Sequence, residues 1–251
     1  MACRFCATAR GGLVRDLTPG EIVEQILRLS ANLAADPQPG GDARRFNVVF
    51  MGMGEPLANW DAVRSALATL TAPSGLALSS RRIQLSTSGP ATGLGRLLSL
   101  PIPIGLTLSL GGSTDAERRR VFPVAGRTPL ATATALAEAW ARRSRRRVTL
   151  AYVLIAGVSD QLDQARRLAR LARRRPFKVN LIPLNRLDDD DLEPAALDRV
   201  LAFQQVLVNA DVPAYIRLSG GQDIAAACGQ LRRRRQLRER ESLVESEPPR
   251  D

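Results

Sequence analysis

An α/β fold built on parallel strands is what this sequence predicts, and three observations carry the reading. Short apolar runs alternate with amphipathic segments of helical length, an order that joins parallel strands through crossover helices. Most strand-like runs end in a small, polar or glycine-containing tip. The 251 residues, 45% of them apolar, can bury one sizeable core, since open α/β sheets and barrels run to about 200–250 residues as one unit.

Taken in order, Thr18-Pro19-Gly20-Glu21 supplies a hydroxyl cap, a proline at the first helical position and a glutamate three after the cap. That is a helix start, and Ile22, Val23, Ile26, Leu27 and Leu29 carry the helix to about Leu33. Residues 36–42, rich in proline and glycine, predict a loop. Strands are predicted at 46–51, 82–88, 104–110, 148–155, 177–184 and 214–218, and helices at 61–70, 128–145, 161–174 and 195–208. The acidic run at 188–191 reads as a solvated loop, because nothing near it completes a divalent-cation ligand set. One domain is expected over 1–231. Residues 232–251 open on Arg232-Arg233-Arg234-Arg235, continue in mixed charge with two prolines, and are expected to form a disordered tail.

Composition narrows the chemistry. Histidine is absent, which excludes Ser/His/Asp and Cys/His catalysis and every histidine-ligated metal site. Three cysteines suit a disulfide scaffold poorly and imply thiols in a reducing compartment. No apolar run approaches the ~18 residues of a membrane span, and the N-terminus lacks the features of a secretory signal; a cytoplasmic monomer is expected. The 36 basic and 25 acidic residues leave a formal charge of +11, which favours a polyanionic partner such as RNA. Lys178 is the single lysine, so the excess is arginine, as a GC-rich coding bias would also produce.

Two clusters of residues point to a site. Gly52-Met53-Gly54-Glu55-Pro56, Ser86-Thr87-Ser88-Gly89, Ser109-Leu110-Gly111-Gly112 and Pro183-Leu184-Asn185 all follow or close strands. Ligands bind at the C-terminal ends of parallel strands, so these tips should converge. The second cluster is Cys3-Arg4-Phe5-Cys6. Such a pair can be half a zinc site, a redox dithiol or part of an iron-sulfur site. Zinc lacks further ligands, with only the distant Cys228 remaining, and no strand precedes the pair as in a redox motif. A cluster needing a further thiolate fits better, with Phe5 shielding the sulfurs. An isolated cysteine such as Cys228, in an alanine-rich stretch, reads by itself as a small buried hydrophobe.

Together, Cys3-Arg4-Phe5-Cys6-Ala7-Thr8, Gly52-Met53-Gly54-Glu55-Pro56-Leu57, Leu85-Ser86-Thr87-Ser88-Gly89, Asn180-Leu181-Ile182-Pro183-Leu184-Asn185 and Ala225-Ala226-Ala227-Cys228-Gly229-Gln230-Leu231 resemble the RlmN/Cfr family of radical S-adenosylmethionine RNA methyltransferases. The resemblance implies a partial (β/α)6 barrel, here lacking its first strand. It implies a 4Fe-4S cluster on Cys3, Cys6 and a cysteine whose position lies upstream of Met1. S-adenosylmethionine would be bound by Gly54, Glu55, Ser86, Ser109, Leu110, Gly111 and Asn185. Cys228 would receive a methyl group, from which a 5′-deoxyadenosyl radical removes hydrogen before the carbon adds to adenosine. The implied product is 2-methyladenosine in 23S rRNA and in tRNA, with electrons from a donor such as flavodoxin.

The chain also departs from the family pattern. Gly111 stands where the family has histidine, Ala125 where it has asparagine, and Ser219-Gly220-Gly221 replaces an arginine-containing stretch. The first cluster cysteine, the first strand with the resolving cysteine and the small RNA-contacting domain would all precede Met1. An internal start or a loss of the gene's 5′ part would produce that pattern, and the chain as written is then expected to be inactive, with an unpaired sheet edge beside the site. Two alternatives follow: a non-catalytic RNA-binding remnant of the fold, or a relative that methylates C8.

Overall fold

The computed structural model describes residues 3–35, 46–185 and 191–218. Cys228, the loop at 36–42, residues 188–190 and the expected tail lie outside them.

Helix α1 (Pro19–Ala35) starts as the capping signature requires. The Thr18 N–H donates to Glu21 Oε2 at 2.8 Å, and the Glu21 N–H to Thr18 Oγ1 at 3.3 Å. Then come β1 (Val48–Phe50), α2 (Trp60–Thr71), β2 (Ile83–Thr87), α3 (Ala91–Leu97), β3 (Gly105–Ser109), α4 (Asp115–Val121), α5 (Leu130–Ser144), β4 (Val148–Leu154), α6 (Leu162–Ala172), β5 (Phe177–Pro183), α7 (Leu197–Val208) and β6 (Ala214–Ile216). The strands form one parallel sheet in chain order, β1 to β6. The predicted strands are all present, each somewhat shorter than expected. β1 and β6 are its edges, and Val49 on β1 is 51% exposed.

Two helices, α3 and α4, escaped the sequence reading. Gly93 and Gly95 in α3 lower helix propensity, and Gly93 stands there because a Cβ would lie 2.5 Å from Leu57 Cβ. In α4, Asp115-Ala116-Glu117-Arg118-Arg119-Arg120-Val121 shows no apolar period; its start is fixed by Thr114, whose hydroxyl accepts from the Glu117 N–H at 3.2 Å.

Register separates the two faces of the sheet. Leu85, Leu106, Leu108, Leu150, Tyr152, Phe177, Val179 and Leu181 belong to the main core with Ala133, Trp140, Leu168 and Phe203 of the helices. Each such fully buried large side chain contributes about 1.5–3 kcal/mol. The opposite face is polar: successive strands align Ser86, Thr107, Thr149 and Lys178 in one row, and Ser109, Ala151, Asn180 and Tyr215 in the next. Because side chains alternate along a strand, the apolar positions anchor the helices and the polar ones line the other side.

Candidate active site

The tips of β1 and β2 are tied together by one carboxylate. Glu55 Oε2 accepts from the Ser88 N–H at 2.8 Å and the Ser88 hydroxyl at 2.6 Å. Its Oε1 accepts from the Thr87 hydroxyl at 2.7 Å and the Leu57 N–H at 3.1 Å. Just ahead, Gly52, Met53 and Gly54 are exposed. Gly54 has φ +86°, and a Cβ on Gly52 or Gly54 would meet nothing within 4 Å, so this backbone faces open space and is accessible to a ligand.

Arg118 ties β2 to β3. It is completely buried; Nη1 donates to Ser109 O at 3.0 Å and Leu110 O at 2.5 Å, while Nη2 donates to Ser88 O and, at 3.5 Å, to Ala125 O. Nε has no partner. Burial pulls the guanidinium down to about 10, against the opposing charges of Asp115, Cys3 and Glu55. A buried cation without a carboxylate in contact is costly, and here four carbonyl groups carry that cost.

The cysteine turn docks on the same structure. Cys3 and Phe5 pack against Val121, Phe122 and Ala125, the Arg4 N–H donates to Val121 O at 3.1 Å, and the Phe5 and Phe122 rings lie 5.7 Å apart at 57°. Phe122 in turn lies under the Arg118 guanidinium, 5.5 Å from ring centroid to Cζ. The Cys6 N–H closes the turn on Cys3 O at 3.2 Å, and a 3-10 turn follows at Ala7–Gly11. Both thiols are half-buried. Burial pushes the Cys3 thiol up to about 11, and the charges of Cys6 and Glu55 add to that. A Cys3 thiolate is therefore unfavourable in this setting unless positive charge lies beside it.

The structure thus brings Cys3, Cys6, Glu55, Ser109, Leu110 and Gly111 into one linked cluster. Leu110 contributes backbone only: its side chain is buried in the core, its N–H donates to Ala151 O at 2.9 Å and its carbonyl accepts from Arg118. Gly111 has φ +70°, and a Cβ would fall 2.4 Å from the Phe122 ring. Ser86 lies on the polar face of β2, directly in register with Thr107 of β3. Asn185 lies two residues past β5, two strands away from β3. Arg118 was not anticipated: within Arg118-Arg119-Arg120 nothing in the sequence marks which arginine turns inward. The polar face with Gln84, Thr107, Thr149 and Asn180 was also missed, although its period-two alternation is visible in each strand. The Gln84 Nε2 donates to Thr107 Oγ1 at 2.7 Å across this face. Among the described residues, no group of three or more Cys, His, Asp or Glu is placed to hold a metal ion.

Comparison with known proteins sharpens the picture. A radical SAM methyltransferase from Sphaerobacter thermophilus shares the fold with TM-score 0.85 and 37% identity, over 91% of this chain and 66% of that one. A domain of pyruvate-formate lyase-activating enzyme from Bacteroides vulgatus shares the fold alone, with TM-score 0.53 and 15% identity, over 69% and 99%. The sheet and its cysteine turn therefore define a partial α/β barrel of the radical SAM methyltransferase class. Among sequences, dual-specificity RNA methyltransferase RlmN 1 of Myxococcus xanthus is 43% identical over 246 residues, 98% of this chain and 67% of that protein. Dual-specificity RNA methyltransferase RlmN of Anaeromyxobacter is 42% identical over 231 residues, 92% and 61%, and the probable RlmN of Moorella thermoacetica is 44% identical over 232 residues, 92% and 65%. The chain belongs to the RlmN family. It spans about three fifths of the length of most of these curated relatives. No protein-family model matches it.

Proposed function

We propose that this chain forms the barrel of a radical S-adenosylmethionine methyltransferase that places a methyl group on C2 of adenosine in 23S rRNA and in tRNA. The observation that carries the reading is the linked cluster in which the Cys3–Cys6 turn, the Glu55 carboxylate and the Arg118-clamped strand tips share one end of a parallel sheet.

In this reading Cys3 and Cys6 hold two corners of a 4Fe-4S cluster. The fit is supported by their half-buried pairing and by the mutual charge that a metal would relieve. The remaining thiolate has to come from outside the described residues, and two thiolates alone hold a cluster weakly. The exposed backbone at Gly54, the rows that end at Ser86 and Ser109, and Asn185 are assigned to S-adenosylmethionine. When bound, the two cofactors supply the radical chemistry that an electron-poor ring carbon requires, since that carbon is not itself a nucleophile. Glu55 and Arg118 position the tips, Phe5 and Phe122 keep water from the sulfurs, and Cys228 is assigned as the methyl carrier. Exposed Arg4, Arg119, Arg120 and Arg127 surround the cysteine turn and suit RNA phosphates. No helix among the described residues is long and apolar enough to cross a membrane. We assign the protein to the cytoplasm as a monomer, one barrel domain over 1–231, served by a donor such as flavodoxin.

The departure at Gly111 argues for a rebuilt site over a decayed one. The Phe122 ring occupies the volume that a side chain at 111 would need, so the exchange is packed and leaves no hole. The test is anaerobic reconstitution with iron and sulfide, electron paramagnetic resonance with and without S-adenosylmethionine, and mass spectrometry of adenosine from treated 23S rRNA and tRNA. A spectrum perturbed by S-adenosylmethionine with 2-methyladenosine formed is the expected result once a third cluster thiolate and a resolving cysteine are supplied, whereas the 251 residues by themselves are expected to be inactive. A C8 product would overturn the carbon assignment, and RNA binding with no iron retained would favour the remnant.

A further inference from the structure

We propose that the opposite end of the sheet, where the strands begin, is a second RNA-contact surface that grips phosphates distant from the reacting adenosine. The proposal rests on the RNA-substrate reading above.

All six strands are parallel, so the residues immediately before β2, β4 and β5 emerge at one end. They are Arg81-Arg82, Arg145-Arg146-Arg147 and Arg173-Arg174-Arg175. The helix-to-strand connections 72–82, 98–104, 145–147 and 173–176 contain no aspartate or glutamate. Asp211 stands off to one side, before β6, and Glu138 is already engaged by Arg142 at 2.8 Å and Arg175 at 2.7 Å.

Arg81, Arg145, Arg147, Arg173 and Arg174 are exposed, and none has an ion pair among the described residues. Some exposed helical arginines elsewhere are paired, Arg28 with Glu24 at 2.6 Å, Arg96 with Asp61 and Arg142 with Glu138, while others such as Arg64, Arg170 and Arg199 stand singly among the described residues. What sets the strand starts apart is that three arginine runs meet there. The end is also braced. Arg146 Nη1 donates to Ser80 O at 3.1 Å and Pro103 O at 3.2 Å, and its Nη2 to Arg81 O at 3.3 Å, stapling the starts of β2, β3 and β4. Burial lowers the Arg146 guanidinium, and the neighbouring charge of Arg81 lowers it further, so like charges are held together without an internal counter-charge.

A second observation is conformational. Arg145 and Arg174 have φ +54° and +58°, the left-handed position after a helix that glycine or asparagine suits best; Ala77 and Asp211, in the connections before β2 and β6, share it at +49° and +60°. An L-side chain there costs roughly 1–2 kcal/mol, and two separate turns carry that cost with an arginine. Where the residue in this turn is an arginine, its side chain is exposed at the strand-start end. From β2 to β5 is three inter-strand spacings, about 15 Å, enough to meet about four successive phosphates of one duplex strand.

The test is a variant of the full chain carrying Arg81→Ser, Arg145→Gly, Arg147→Ser, Arg173→Ser and Arg174→Gly; the two glycines relieve the backbone so that the fold is retained. A charge-matched control carries Arg28, Arg64, Arg96, Arg170 and Arg199 each→Ser, all exposed on helices. Affinity for a 23S rRNA fragment is read by fluorescence anisotropy against salt. Removing about four phosphate contacts should flatten the slope of log K against log salt by about 3, with at least a tenfold loss at 0.1 M salt, while the control changes little. Equal losses in both proteins would mean net charge alone and overturn the proposal. An unchanged slope in the variant, with the parent binding RNA, would overturn it and leave the RNA reading standing. A parent that does not bind RNA at all would overturn both. Binding to anionic lipid vesicles that the variant loses, with RNA binding intact, would also overturn it.

Discussion

The two ends of this sheet are built by opposite rules. At the tip end, small residues and one carboxylate are drawn together by hydrogen bonds, two thiols are packed against them, and the buried arginine, Arg118, is consumed as a clamp on four carbonyls. At the starting end, arginines are plentiful: Arg81, Arg145, Arg147, Arg173 and Arg174 are exposed with no ion pair among the described residues, while Arg82 and Arg146 staple backbone and Arg175 pairs with Glu138. The difference teaches where each kind of work is done. Chemistry needs groups fixed against one another in a dry setting, and their charges must be satisfied internally. Holding a polyanion needs charges left unsatisfied, at some cost in stability.

That contrast can be broken or sharpened by experiment. The largest effect is expected at the thiols: Cys3→Ser or Cys6→Ser should abolish iron retention after reconstitution, read by metal analysis and by loss of the cluster's visible absorption. Next is Arg118→Met, which strands the carbonyls of Ser88, Ser109 and Leu110 and should destabilise the fold by about 3 kcal/mol or more, measured by urea unfolding. Gly111→Ala places a Cβ into the Phe122 ring in a left-handed backbone; a loss of about 2 kcal/mol is expected, and Phe122→Leu in the same chain should recover part of it. Arg145→Gly, at the other end, should have the opposite sign and raise stability by up to ~1 kcal/mol. A destabilised glycine variant would show that this arginine is a structural part and weaken the contrast.

The smallest expected effect is on pH. The Cys3 thiol is held near 11 in the folded chain against an ordinary value of 9.0. Below 9 both folded and unfolded forms keep the proton, and this contribution to stability is fully present. Between about 9 and 11 the unfolded chain ionises first, so the metal-free protein should lose stability as pH rises through that window, and Cys3→Ala should remove this part of the profile. Guanidine melts at fixed pH values would show it.

Much of this molecule was legible before any coordinates. The capping signature at Thr18 and Glu21, the β/α alternation and the apolar runs placed the sheet, because burial of one face and capping of helix ends are local rules. α3 and α4 were hidden because glycine and charge mask a helix whose reason for existing is tertiary, as Gly93 against Leu57 and Arg118 against the strand tips show. The strand-tip residues and the cysteine pair were found as separate motifs, and the family resemblance joined them.

The order of the strands, the cysteine pair and the glycine-bearing tips belonged to the sequence alone, since periodicity, turn chemistry and thiol spacing need only neighbours along the chain. Which arginine of Arg118-Arg119-Arg120 is buried, how Glu55 locks Ser88, and that the arginines before β2, β4 and β5 stand on one end were decided only in three dimensions. The physical reason is that desolvation and parallel register act between residues distant in sequence, so the same side chain becomes a clamp at one end of the sheet and an open charge at the other.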